Sequence, residues 1–183
     1  MSPNPALRAR TIALVGLMGV GKSTIGRKLA AALDLPFADA DQEIEKAAGR
    51  SVAEIFAEHG EAEFRAGERR VIARLLQGPP HVLATGGGAF MNPETRDLIK
   101  EKAISVWLKA DLDVLVRRCS RKDTRPLLVG QDVREVLQGL MQQRYPVYAE
   151  ADIVLETDDG PASAAVDSLI KALETYLKTG AHA

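Results

Sequence analysis

The sequence predicts a single three-layer α/β domain, in which a parallel sheet of about five strands is flanked on both faces by helices. Three observations carry that expectation. Thr11–Val15 (T-I-A-L-V) is apolar along most of its length, as a strand buried on both faces must be. Further strand-like runs alternate with stretches of helical periodicity, the pattern of a parallel sheet with crossover helices. Finally, 183 residues suffice for one full hydrophobic core, and two independent domains would be poorly served by them.

The elements follow in order. Residues 1–10 carry Pro3 and Pro5 and read as a loose leader before the first strand. From Lys22–Leu33 apolar residues recur at helical spacing, and Pro36 marks the break before a short extended F-A-D-A segment. Helical patterns fill residues 41–77, with interruptions at Gly49 and Gly60. H-V-L-A-T, residues 103–108 and residues 152–155 read as strands, separated by helices around 93–100, 112–118 and Val133–Tyr148. A last helix spans about 162–178 and leaves 179–183 as a frayed tail. No internal repeat or low-complexity block is visible. In an open parallel sheet, ligands bind outside the carboxyl ends of the strands.

Composition narrows the function. With 46% hydrophobic, 27% charged and 4% aromatic residues, the chain is an ordinary soluble protein packed on aliphatic side chains. Twenty-four Lys and Arg against 25 Asp and Glu leave a net charge of -1, so nothing draws the whole molecule to nucleic acid or an anionic membrane. Any basic site is local. Cys119 is the only cysteine, which excludes an internal disulfide and suits the reducing cytoplasm. His59, His81 and His182 lack metal-ligand spacing. Arg8 and Arg10 precede an apolar run, but glycines and Lys22 interrupt it too early for a signal peptide, and no stretch is long enough to span a bilayer. No seam for self-association stands out, so a monomer is the default expectation.

Gly16-Leu17-Met18-Gly19-Val20-Gly21-Lys22-Ser23 fits G-x-x-x-x-G-K-[ST] and lies between a predicted strand and a predicted helix, the context this phosphate loop requires. Its glycines let the backbone curl so that successive amides, together with the helix N-terminus, face a polyphosphate. Gly19, Val20, Gly21, Lys22, Ser23 and Thr24 are thus the expected ATP-binding residues. The Lys22 ammonium reaches the β- and γ-phosphates, and the Ser23 hydroxyl is a ligand for Mg²⁺. A guanine-specific switch would display N-K-x-D, yet Asn4 and Asn92, the only asparagines, are both followed by proline. A nucleic-acid motor would need basic stripes and stacking aromatics, which this chain lacks.

Beyond the phosphate loop, D-A-D-x-x-I-E, E-x-x-F-R, T-G-G-G, R-P-L-L and R-Y-P-V-Y follow in order. With G-L-M-G-V-G-K-S-T-I-G-R-K-L-A they make the sequence resemble shikimate kinase from about residue 11 to 178, a P-loop small-molecule kinase of the nucleoside monophosphate kinase-like fold. The resemblance implies transfer of phosphate from MgATP to the 3-hydroxyl of shikimate. It implies that Asp41 binds the substrate hydroxyls and is the candidate general base, that Asp39 with Ser23 helps hold hydrated Mg²⁺, and that Arg65 and Arg144 clamp the substrate carboxylate. A planar guanidinium suits that task because it offers paired charged hydrogen bonds. For Asp41 the plainer role of capping a helix, with Asp39 a loop residue, stands beside the functional one.

Gly86, Gly87 and Gly88 follow a strand and strip side chains from a wall against which a polar ring can lie close to backbone amides. The same resemblance makes residues 41–70 a substrate-binding region and about 119–130 a lid, from which Arg125, stiffened by Pro126, stabilises charge on the transferring phosphoryl group. Arg118 and Pro161 are implied to pack on the two faces of the adenine. A Walker-B aspartate is missing, Thr85 standing where the strand ends, as in the resembled family. Trp107 and Cys119 are expected to be core residues. Two other readings share the phosphate loop: a gluconate kinase-like enzyme, and a non-catalytic nucleotide-binding regulatory protein.

Overall fold

Five strands, β1 (Thr11–Val15), β2 (Phe37–Asp39), β3 (Val82–Ala84), β4 (Ala103–Lys109) and β5 (Ile153–Glu156), form one parallel sheet in the order β2-β3-β1-β4-β5. The computed structural model describes residues 4–121 and 132–180. Ile12 pairs with Val82 on one side and Ile104 on the other, which makes β1 the central strand. Every residue of β1 and β3 is buried, the reason they read as unbroken apolar runs. β5 lies at an edge and alternates between buried and more exposed positions. Because β1 has β3 on one flank and β4 on the other, the chain changes direction across it, and the crevice beyond its carboxyl end is the expected ligand position.

Seven α-helices accompany the sheet among the described residues: α1 (Lys22–Leu33), α2 (Ala40–Ala48), α3 (Val52–Leu76), α4 (Pro93–Lys102), α5 (Leu112–Ser120), α6 (Val133–Tyr148) and α7 (Ala162–Thr179). α1 packs on α7, α5 on α6, and α3 on α2 and α4. Leu14, Leu29, Leu83, Ile104 and Leu169 are fully buried in the main core, each side chain contributing about 1.5–3 kcal/mol. A separate cluster of Ile44, Ile55, Phe64 and Val71 lies between α2 and α3. Trp107 and Cys119 are core residues, as expected.

Three expectations are refined. The leader is anchored where it was expected to be loose: Pro5–Ala9 form a 3-10 turn capped by Asn4, and Leu7 is fully buried. Gly49 ends α2 in the left-handed conformation, and Gly60 breaks α3 with φ 80° and ψ 175°, so both glycines punctuate helices. The N-cap of α2 is Asp39, whose Oδ1 accepts from the amides of Asp41 and Gln42 at 3.0 and 3.2 Å. Asp41 sits in the first helical turn with its carboxylate free of that task, so the plainer reading, with Asp41 as the cap and Asp39 a loop residue, is corrected. Most of the expected lid, about 119–130 and including Arg125 and Pro126, lies outside the described residues.

Candidate active site

One cavity of about 740 Å³ opens at the carboxyl ends of the strands and runs from the phosphate loop to α3 and to the loop between β5 and α7. The loop after β1 is shaped by glycines at positive φ: Gly16 at 148°, Gly19 at 82° and Gly21 at 100°. At Gly16 a Cβ would stand 2.6 Å from the Leu108 carbonyl oxygen, so both conformation and space demand glycine there. Gly21 is the N-cap of α1 and offers no side-chain acceptor, which leaves the first amides of the helix facing the cavity without a side-chain cap. Lys22 Nζ donates to the carbonyls of Gly16 at 2.5 Å and Leu17 at 3.1 Å, fixing the ammonium over the loop.

The acidic pair follows from the β2–α2 junction. Capping holds Asp39 with Oδ1 on the helix amides, while its Oδ2 accepts from the Ser23 hydroxyl at 2.6 Å. A hydroxyl and a carboxylate brought together beside a phosphate loop are the hard oxygen donors that Mg²⁺ takes alongside water and phosphate oxygens. Among the described residues no group of three or more His, Cys, Asp or Glu could hold a metal by itself. Burial, and then the neighbouring Asp39 charge, push the Asp41 carboxyl above its usual range, against the pull of Lys22 and Arg65.

The three glycines after β3 do a job that their backbone angles do not require, because none has positive φ. Each one leaves room for a charged group. A Cβ on Gly86 would meet Glu68 Oε2 at 2.9 Å and Asp41 Oδ1 at 3.0 Å, one on Gly87 would meet Arg144 at 2.9 Å, and one on Gly88 would meet Arg65 at 2.4 Å. Arg65 and Arg144, which are 79 residues apart in sequence, therefore stand against adjacent residues of one turn.

Arg144 reaches that turn from α6, where Arg144 and Tyr148 are one helical turn apart on the same face. The Tyr148 hydroxyl donates to the Gly87 carbonyl and anchors the helix to the turn. Arg144 is only 7% exposed; it hydrogen-bonds Tyr148 and lies within electrostatic reach of Glu68, but among the described residues no carboxylate oxygen is in ion-pair contact with it. A buried guanidinium with no carboxylate in direct contact is costly unless an anion completes it. Arg65 instead pairs with Glu68 at 2.9 Å and Glu61 at 3.5 Å.

At the far end, Arg118 donates to the carbonyls of Gly19, Val20 and Asp158 at 3.2, 3.1 and 2.8 Å, tying the phosphate loop to the β5–α7 loop. Pro161, the N-cap of α7, lines the same cavity, as does Thr24. Every sequence-predicted site residue within the described segments, from Gly19 to Pro161, thus borders one cavity. Sequence reasoning missed Glu68, Arg121, Phe56 and Phe64, which also line it. Glu68 had a signal, since three residues after Arg65 it shares that helix face. The two phenylalanines, with ring centroids 4.7 Å apart, could not be told from ordinary core.

A phosphate loop after the central strand, an acidic junction beside it and an arginine-lined recess next to both define a P-loop kinase of small molecules. The shikimate kinase family model matches residues 18–174. The chain is 66% identical to a shikimate kinase of Caulobacter vibrioides over 167 residues, 91% of this chain and 84% of that protein. It superimposes with a TM-score of 0.90 on the shikimate kinase from Acinetobacter baumannii solved in complex with shikimate, at 35% identity over 93% of this chain and 96% of the other. A gluconokinase from Sinorhizobium meliloti, 17% identical with a TM-score of 0.60 over 93% of this chain and 98% of the other, shares the fold alone. The chain belongs to the shikimate kinase family.

Proposed function

We propose that this chain transfers the γ-phosphoryl group of ATP to the 3-hydroxyl of shikimate, giving ADP and shikimate 3-phosphate. The observation that carries the reading is the convergence of Arg65 and the buried Arg144 on one glycine turn, beside Asp41 and in the same cavity as the phosphate loop. Two guanidinium groups and flanking amides suit a carboxylate, and Asp41 suits ring hydroxyls. The loop amides and Lys22 hold the β- and γ-phosphates. Asp41 accepts the proton of the attacking hydroxyl as its oxygen bonds to phosphorus and ADP leaves; a carboxylate whose affinity for protons is raised by burial is better fitted to this than an ordinary one.

Ser23 and Asp39 would hold Mg²⁺, which neutralises charge on the phosphates when bound. Arg118 and Pro161 border the adenine end, and Arg125, by family resemblance, adds positive charge at the transferring group. Residues 41–70 serve as the acceptor region, and about 119–130 as the lid that excludes water. The reaction is assigned to the cytoplasm, and no helix among the described residues is long and apolar enough to cross a membrane.

A coupled ADP-release assay with shikimate, gluconate or no acceptor tests the proposal. Stimulation by shikimate alone is expected. Stimulation by gluconate would favour a sugar-acid kinase, and ATP binding without any stimulation would make the chain a nucleotide-binding regulator.

A further inference from the structure

Glu68 is a carboxylate in an unusual position. It is 2% exposed, and its two oxygens have different surroundings. Oε1 accepts from Arg65 Nη1 at 2.9 Å, whereas Oε2 has no hydrogen-bond partner among the described residues. Oε2 faces the space that Gly86 leaves open, where Asp41 Oδ1 also stands, each about 3 Å from the point a Cβ would occupy. The charged and titratable groups around it are Arg65 and, beyond that, Glu61 on α3, Asp41 on α2, and Arg144 and Tyr148 on α6. Its ionised form is supported by Arg65 and Arg144, and opposed by burial and Asp41.

The two supporting cations are the two groups assigned above to the substrate carboxylate. A carboxylate bound between them brings a negative charge that offsets the positive field both exert on Glu68. Through its pair with Arg65, Glu68 acts as a positioning residue; we propose that it also takes up a proton from solvent when the acceptor's carboxylate binds. The proton goes to Oε2, the oxygen without a partner. Oε1 goes on accepting from Arg65, so the guanidinium stays oriented while its charge becomes fully available to the substrate. No side chain has to move. This inference rests on the reading of Arg65 and Arg144 as a carboxylate clamp.

The linkage has a definite sign. Substrate binding raises the proton affinity of Glu68, so protons are taken up at pH values between the free-state and bound-state pKa, and shikimate affinity falls as pH rises through that window. Titration calorimetry of the whole protein with shikimate, in two buffers of different ionisation heat, reads the uptake directly. The expected result is an uptake approaching about one proton per shikimate, with a dissociation constant that rises about tenfold per pH unit across the window. Glu68→Gln should bind with no uptake and a flat pH profile, while Glu68→Asp, which keeps a titrating carboxylate, should restore the pH dependence. Normal saturation by shikimate with zero uptake from about pH 5 to 9 in the unsubstituted protein would overturn the inference and leave the substrate assignment standing. Uptake that persists in Glu68→Gln would place the proton elsewhere and overturn it too. No shikimate binding at all would remove the clamp itself.

Discussion

Arg144 and Arg65 illustrate how two residues of one type differ once placed. Arg144 is buried with no ion-pair contact among the described residues, and Arg65 is shared with Glu68 and Glu61. A charge-assisted hydrogen bond contributes about 1.5–3 kcal/mol, so Arg65→Ala or Arg144→Ala should raise the KM for shikimate about tenfold or more while the KM for ATP changes little; steady-state kinetics with each substrate varied decides this. Asp41 yields a second prediction with a pH sign. Its carboxyl is raised above the usual value of 3.8, first by burial and then by Asp39. The ionised form therefore opposes folding, and stability present below the ordinary carboxylate pKa is lost as pH rises through the raised one. Asp41→Asn should unfold at a higher temperature than the unsubstituted protein at neutral pH, lose that advantage in acid, and lose most phosphoryl transfer. Thermal unfolding scans across pH, run beside the assay, check both halves.

At the scale of elements, the site is made by junctions. Asp39 ends β2, caps α2 and engages Ser23 at the start of α1, so a single side chain joins three elements. The glycine turn after β3 receives α2, α3 and α6 through their charged groups. Gly88→Ala should displace the Arg65 guanidinium and raise the shikimate KM by about an order of magnitude with ATP binding nearly intact. Gly16→Ala is predicted to act differently, because its Cβ would strike backbone at a φ of 148°. Strain of this kind costs about 1–3 kcal/mol, so that variant should lose thermal stability as well as ATP binding. Comparing unfolding temperatures of the two alanine variants separates a displaced side chain from a strained backbone.

For the molecule as a whole, two hydrophobic clusters imply two levels of stability. The sheet core contains most buried side chains, and the Ile44, Ile55, Phe64 and Val71 cluster stands apart between α2 and α3. A small cluster under helices interrupted at Gly49 and Gly60 opens at lower free energy than a central parallel sheet. Amides of α2 and the first part of α3 should thus exchange with deuterium sooner than those of β1 and β4, and saturating shikimate should slow them selectively. Uniform protection along the chain, unchanged by ligand, would count against treating 41–70 as a separate acceptor region.

Much was legible from local rules. The bounds of β1, α1 and α6 match the expected ones because burial pattern, glycine and proline act over a few residues. The phosphate loop was readable for the same reason, since its chemistry is contiguous in sequence. Sheet order, the buried state of Arg144 and the role of each glycine in the triplet were not, because they depend on which distant groups approach a given backbone atom. The cap of α2 proved to be Asp39, where the plainer reading had Asp41, because the exact start of α2 is left undecided by neighbouring helical propensities. The linear chain by itself therefore determined the strands, the helices and the nucleotide loop, whose causes are short-range. Only tertiary packing decided that two arginines 79 residues apart would stand at adjacent glycines with a buried glutamate between one of them and Asp41, because burial and Coulomb interaction depend on distance in space and have no counterpart in sequence order.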